Sequence, residues 1–142
     1  MRAPRLSLVL CAPVCAVALS ACASTVATSS FTGTKHTVAQ TISNLQADAT
    51  ASEKKKICTT DLAATVVARL GGLKGCEAAI KSQLAEIDSF EVSVQSIDVA
   101  AGEASATAHV KSVYEGKSTP ATVALVKEAG KWKISALRQT AS

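Results

Sequence analysis

A chain of 142 residues with 15 Lys and Arg against 11 Asp and Glu has room for one ordinary domain and too few residues for two. Its net charge of +4 is dispersed, with Lys54, Lys55 and Lys56 as the one basic run, and aromatics make up only 3% of the residues. Basic clusters interleaved with aromatics, the footprint of a nucleic-acid surface, are missing, so no nucleic-acid partner is expected.

The N-terminus "MRAPR" places Arg2 and Arg5 ahead of an uncharged stretch from Leu6 to Leu19 that ends in small residues. This is the layout of a secretory signal peptide. The stretch is shorter than the roughly 20 apolar residues of a transmembrane helix, and Pro13 interrupts it. The next four residues, Leu19-Ser20-Ala21-Cys22, resemble the lipobox of bacterial lipoproteins: an aliphatic residue, two small ones, then cysteine. The resemblance implies cleavage before Cys22, a diacylglycerol on its thiol and an acyl chain such as palmitate on the new amine. Each buried methylene contributes about 0.8 kcal/mol, so two or more chains hold a protein firmly to a bilayer. The implied location is the cell envelope, on the outer face of the bacterial cell membrane. An ordinary signal peptide cut near Ala23, leaving Cys22 as a free thiol, is the alternative. The expected organisation is a signal peptide over 1–21, a lipidated cysteine and flexible Ala/Ser/Thr tether over 22–33, and a single domain over 34–142.

Such processing leaves 13 basic residues against 11 acidic ones. Of the five cysteines, Cys11 and Cys15 depart with the signal and Cys22 carries lipid. Export then puts Cys58 and Cys76 in an oxidising compartment, where a disulfide between them is expected to contribute roughly 3 kcal/mol. Two unpaired buried thiols are the alternative. Without a C-x-x-C or a nearby histidine the two cysteines make no zinc set, and no metal is expected.

Within the domain, Val38, Ile42, Leu45 and Ala49 recur at helical spacing and predict an amphipathic helix. The Lys54–Lys56 run reads as a solvated helix end. A second helix is expected from about Thr60 to Leu70, with Asp61 in its first turn and a stop at Gly71-Gly72. A third runs from about Lys74 to Ile87, with Cys76, Ile80, Leu84 and Ile87 on one face, so that a Cys58–Cys76 bond would staple helix two to helix three. After Asp88 the period changes to two: Phe90, Val92 and Val94 alternate with Glu91, Ser93 and Gln95. "AAGEA" turns into a strand with Ala104, Ala106, Ala108 and Val110 on one side; "EGKSTP" turns into "ATVALVK", and "EAGK" into "WKISAL". The expected fold is α+β, with about three N-terminal helices packed on a curved, four-stranded antiparallel meander.

Over about residues 31 to 138 this organisation resembles the nuclear-transport-factor-two-like superfamily, and more closely small actinobacterial lipoproteins of that type. The likeness rests on "FTGTKHTVAQTISNLQADA", on Ile57-Cys58 and Gly75-Cys76, and on the closing "VALVKEAGKWKISAL". A cystatin-like helix-on-sheet arrangement is the rival. The superfamily implies a cone-shaped pocket, which in its enzymes holds a carboxylate base and a hydrogen-bond donor; no matching aspartate and tyrosine pair can be carried over here. Tyr114 sits at a strand end, where a solvent-facing ring is expected, and His36 is an ordinary helix-entry residue. His109 is the one candidate base. If the alanine face of its strand is the core, His109 is exposed; if the polar face lines a cavity, it could act. Nucleophile elbows and phosphate loops are absent from the sequence, and no cofactor is expected. The sequence therefore reads as a non-enzymatic binding or accessory domain, taking an envelope protein or a small apolar ligand in the cone, with Phe90 and Trp132 as residues that could plug it. An isomerase, dehydratase or cyclase-like enzyme is the alternative.

Overall fold

The computed structural model describes residues 27–86, 91–114 and 116–140, leaving out the side chain of Tyr114. The expected signal peptide, the lipobox with Cys22, and Phe90 lie outside the described residues, as does the ring of Tyr114. No helix among the described residues is long and apolar enough to cross a membrane.

Four helices precede four strands: α1 (Gly33–Thr50), α2 (Lys54–Lys56), α3 (Ala64–Arg69), α4 (Gly72–Ala85), then β1 (Glu91–Val99), β2 (Ser105–Tyr114), β3 (Lys117–Glu128) and β4 (Lys131–Gln139). The strands form one antiparallel sheet in the order β1-β2-β3-β4. The fold is α+β, an open curved sheet with the long helix α1 across one face. Upstream of α1, the Phe31 N–H donates to the Thr28 carbonyl at 3.1 Å, and Phe31, within the stretch read as tether, packs against the core. The His36 Nδ1–H donates to the same carbonyl, also at 3.1 Å.

The core is the inward face of the sheet against Val38, Ala39 and Ile42 of α1. Ala106, Ala108 and Val110 of β2, and Ala121, Val123 and Leu125 of β3, are all buried. Three of those six side chains are alanine methyls, which let the helix lie close to the middle of the sheet.

Two bulges set the curvature. Val94 pairs with Val110 and Ser96 with His109, so Gln95 is an extra residue in β1. Ala124 pairs with Ala136 and Leu125 with Ile134, so Ser135 is extra in β4. A bulge bends the strand and advances the side-chain phase by one. In β1 the inward positions therefore pass from Val92 and Val94 to Ile97 and Val99, and in β4 from Trp132 and Ile134 to Leu137 and Gln139. The β3–β4 turn holds Ala129 at φ 48° and Gly130 at φ 78°, the left-handed pair that a two-residue hairpin favours.

The expected second helix is not continuous. Ile57–Asp61 form a π-helical turn, Leu62 and Ala63 are extended, and only Ala64–Arg69 are α-helical. The break has a tertiary cause: Leu62 bridges in parallel to Ile134, and the Ala63 N–H donates to the Ile134 carbonyl at 2.8 Å. The free edge of β4 thus competes with the helix for this backbone. The Glu128 carboxylate accepts from the Ala64 N–H at 3.1 Å and caps the helix that restarts. The strand β3 is also longer than its alternation implied, since Lys117–Pro120 belong to it rather than to a turn. The Pro120 carbonyl accepts from Thr140, so the N–H that proline lacks falls at the last rung of the β3–β4 ladder, where its cost is small.

Cys58 and Cys76 form the expected disulfide, with Cα atoms 6.1 Å apart and both residues buried. It joins the π turn to α4. Gly75 lets α4 start close against the end of α3, because a Cβ there would collide with the Leu70 carbonyl.

Candidate functional site

Among the described residues, the inward face of the sheet is closed at one end and open at the other. At the closed end Leu125, Ile97 and Trp132 are buried, and the Lys127 ammonium lies 5.6 Å from the centre of the Trp132 ring. Towards the other end the inward positions become Val92, Ser112, Thr119, Leu137 and Gln139. Here a cavity of about 500 Å³ lies between sheet and helices, within the usual range for small-molecule sites.

Its walls are mostly apolar. Ile42 and Leu45 come from α1, Val110, Ala121, Val123 and Ile134 from the middle of the sheet, and Leu137 from β4. Leu137 is 61% exposed; the Ser135 bulge turns it to the cavity side at the mouth rather than to the back of the sheet. Polar groups are few: Ser112, Thr119 and Gln139 from the sheet, Gln83 and Glu86 from the end of α4. The Ser112 Oγ donates to the Thr119 carbonyl at 3.3 Å. Such a site offers apolar area with hydrogen-bonding groups at its mouth.

His109 lies elsewhere. Its neighbours Ala108 and Val110 are buried on the inward face, and His109 points from the back of the sheet, with its Nε2 3.6 Å from Asp98 Oδ2. Both side chains are more than half exposed, at 53% and 76%, so the pair is solvated and weak. The structure does not bring it to the cavity.

A second, shallower groove of about 410 Å³ runs past Cys58, Thr59, Leu62, Val67, Leu73 and Lys133. Among the described residues no group of three or more His, Cys, Asp or Glu side chains could hold a metal ion.

Two acidic residues lie in the interior. Asp48 and Asp61 are buried, with 4% and 2% of their surface exposed. Asp61 ends the π turn instead of sitting in the first turn of the second helix. Lys56, read from sequence as a solvated lysine, donates to Asp48 Oδ1 at 2.6 Å, and this hydrogen bond raises its pKa. Burial first, and the neighbouring Asp48 second, push the Asp61 carboxyl up to about 7. The buried Gln46 accepts from the Val92 N–H at 3.1 Å, tying α1 to the edge strand β1. The cavity residues Ser112 and Leu137 had a signal in the sequence. Ser112 continues the Ala106, Ala108, Val110 alternation by one step, and Leu137 stands three after Ile134, the spacing a bulge produces.

No protein-family model and no curated protein matches this sequence. Among solved structures, the chain is similar to a de novo designed protein with a curved β-sheet, at 16% identity and a TM-score of 0.40 over 49% of this chain. The match spans 64% of the designed protein's length.

Proposed function

We propose that this chain is a bacterial cell-envelope lipoprotein whose domain binds a small apolar ligand without transforming it. The observation that carries the binding reading is the 500 Å³ cavity at the open end of the sheet, with aliphatic walls and hydrogen-bonding groups at the mouth. The position of His109 on the opposite face supports binding over catalysis, since it leaves Glu86 as the one ionisable side chain among the described residues of the lining. A nuclear-transport-factor-two-like cone is the proposed family shape, supported by the order of helices before a bulged antiparallel meander.

The lipid anchor rests on the sequence: Leu19-Ser20-Ala21-Cys22 follows Arg2, Arg5 and an uncharged stretch. Labelled palmitate is expected to enter the wild-type protein in a bacterial host and not the Cys22→Ala variant; equal labelling of the two rules the anchor out. For the cavity, a neutral naphthylamine fluorophore is expected to brighten on binding the Cys22→Ala chain, and Ala121→Trp, which fills the cavity, is expected to abolish the signal. Unchanged fluorescence in Ala121→Trp, with the fold intact by circular dichroism, places binding elsewhere.

A further inference from the structure

The buried carboxylates of Asp48 and Asp61 come from different elements, the last turn of α1 and the end of the π turn. Both side chains are buried, and Asp48 is the neighbouring charge that acts most strongly on the Asp61 carboxyl. The Oδ2 atom of each is buried and has no donor among the described residues. Two buried carboxylate oxygens of this kind are costly if both groups are ionised, because each is desolvated and they repel. One proton held between the two groups supplies a donor to the pair and removes one of the two charges.

We propose that Asp48 and Asp61 share a proton and act as a pH-sensitive latch that fastens the π turn, and with it the disulfide to α4, onto the end of α1. The charges around the pair fit this reading. From α2, Lys56 engages Asp48 Oδ1 and balances the single negative charge of the protonated pair. Lys133 of β4, which donates to the Thr59 carbonyl at 2.9 Å, also favours the Asp61 anion, but less than burial and Asp48 disfavour it. Glu53, in the loop before α2, acts on Lys56. The α4 helix meets the π turn through Cys76. One engaged lysine therefore balances one carboxylate, and loss of the proton leaves a second, buried negative charge.

The direction of the pH effect follows from linkage. The folded carboxyl titrates above the ordinary aspartate value, so the unfolded chain loses its proton first as pH rises. The stabilisation is complete below about pH 4, declines between about pH 4 and 7, and is gone above that window.

The test is the melting temperature of the full chain between pH 4.5 and 8, for the wild type and for Asp61→Asn, whose amide keeps a donor towards Asp48 and cannot ionise. The difference between Asp61→Asn and wild type is expected to shift in favour of the variant by on the order of 10 °C from pH 4.5 to pH 7.5. A difference that does not change with pH overturns the latch. Should Asp61→Asn fail to fold, carbon-13 titration of the aspartate carboxyls in the wild type decides: one aspartate titrating near neutrality is expected, and all aspartates titrating below pH 5 overturns the proposal.

Discussion

Helix α1 makes two kinds of buried contact along one face, and they are held by different physics. Through Val38, Ala39 and Ile42 it lies on the alanine-rich middle of the sheet, a contact of methyl against methyl. One to two turns later it presents Asp48 to Lys56 and Asp61. The first contact is indifferent to pH and scales with the apolar area removed from water. The second depends on proton count, since removing a proton adds a buried charge. Burial alone therefore says little about what holds a contact together, and the two halves of the same helix should respond differently to substitution and to pH.

The largest expected effects break the apolar contact. Leu125→Ala, at a 1% exposed position, is expected to cost about 3 kcal/mol by urea unfolding, by the same amount at pH 5 and pH 7.5. Replacing Cys58 and Cys76 together with alanine is expected to cost about as much, roughly 3 kcal/mol, by releasing the π turn from α4. On the charged side, the pH dependence that Asp61→Asn removes should persist in Leu125→Ala, which sets the two contacts apart in a single series of melts. A smaller effect is expected at Leu137, exposed at the cavity mouth. Leu137→Ala should alter stability by under about 0.5 kcal/mol while weakening binding of the naphthylamine probe. A gain is expected at Ala129, a non-glycine residue at φ 48°, which should yield about 0.5 kcal/mol of stability or less when replaced by glycine or asparagine.

The apolar half of the fold was legible because periodicity reports apolar burial. The Val38, Ile42, Leu45 spacing and the alternation through Ala106, Ala108 and Val110 placed α1 and β2 on the core, and the pairing of Cys58 with Cys76 followed from compartment and parity. Even the bulges leave a trace, since Val94 to Ile97 and Ile134 to Leu137 are both steps of three in strands whose period is two. Asp48 and Asp61 were not legible, because a polar residue at helical spacing reads as solvent-facing until its partner is known. Asp48 does stand three residues after Leu45, inside a broad apolar stripe, but the partner that makes its burial tolerable arises only when the π turn folds back. The break in the second helix was hidden for a related reason: the competitor for Leu62 and Ala63 is an edge of β4 some 70 residues later, and local propensity contains no record of it.

The central functional claim is that ligand enters at the open end of the sheet and not at its back. Backbone amide spectra of the isotopically labelled Cys22→Ala chain, recorded with and without the neutral naphthylamine probe, test this residue by residue. Shifts are expected at Ser112, Thr119, Leu137 and Gln139, with Asp98 and His109 unmoved; shifts centred on Asp98 and His109, with the cavity amides unchanged, would contradict it.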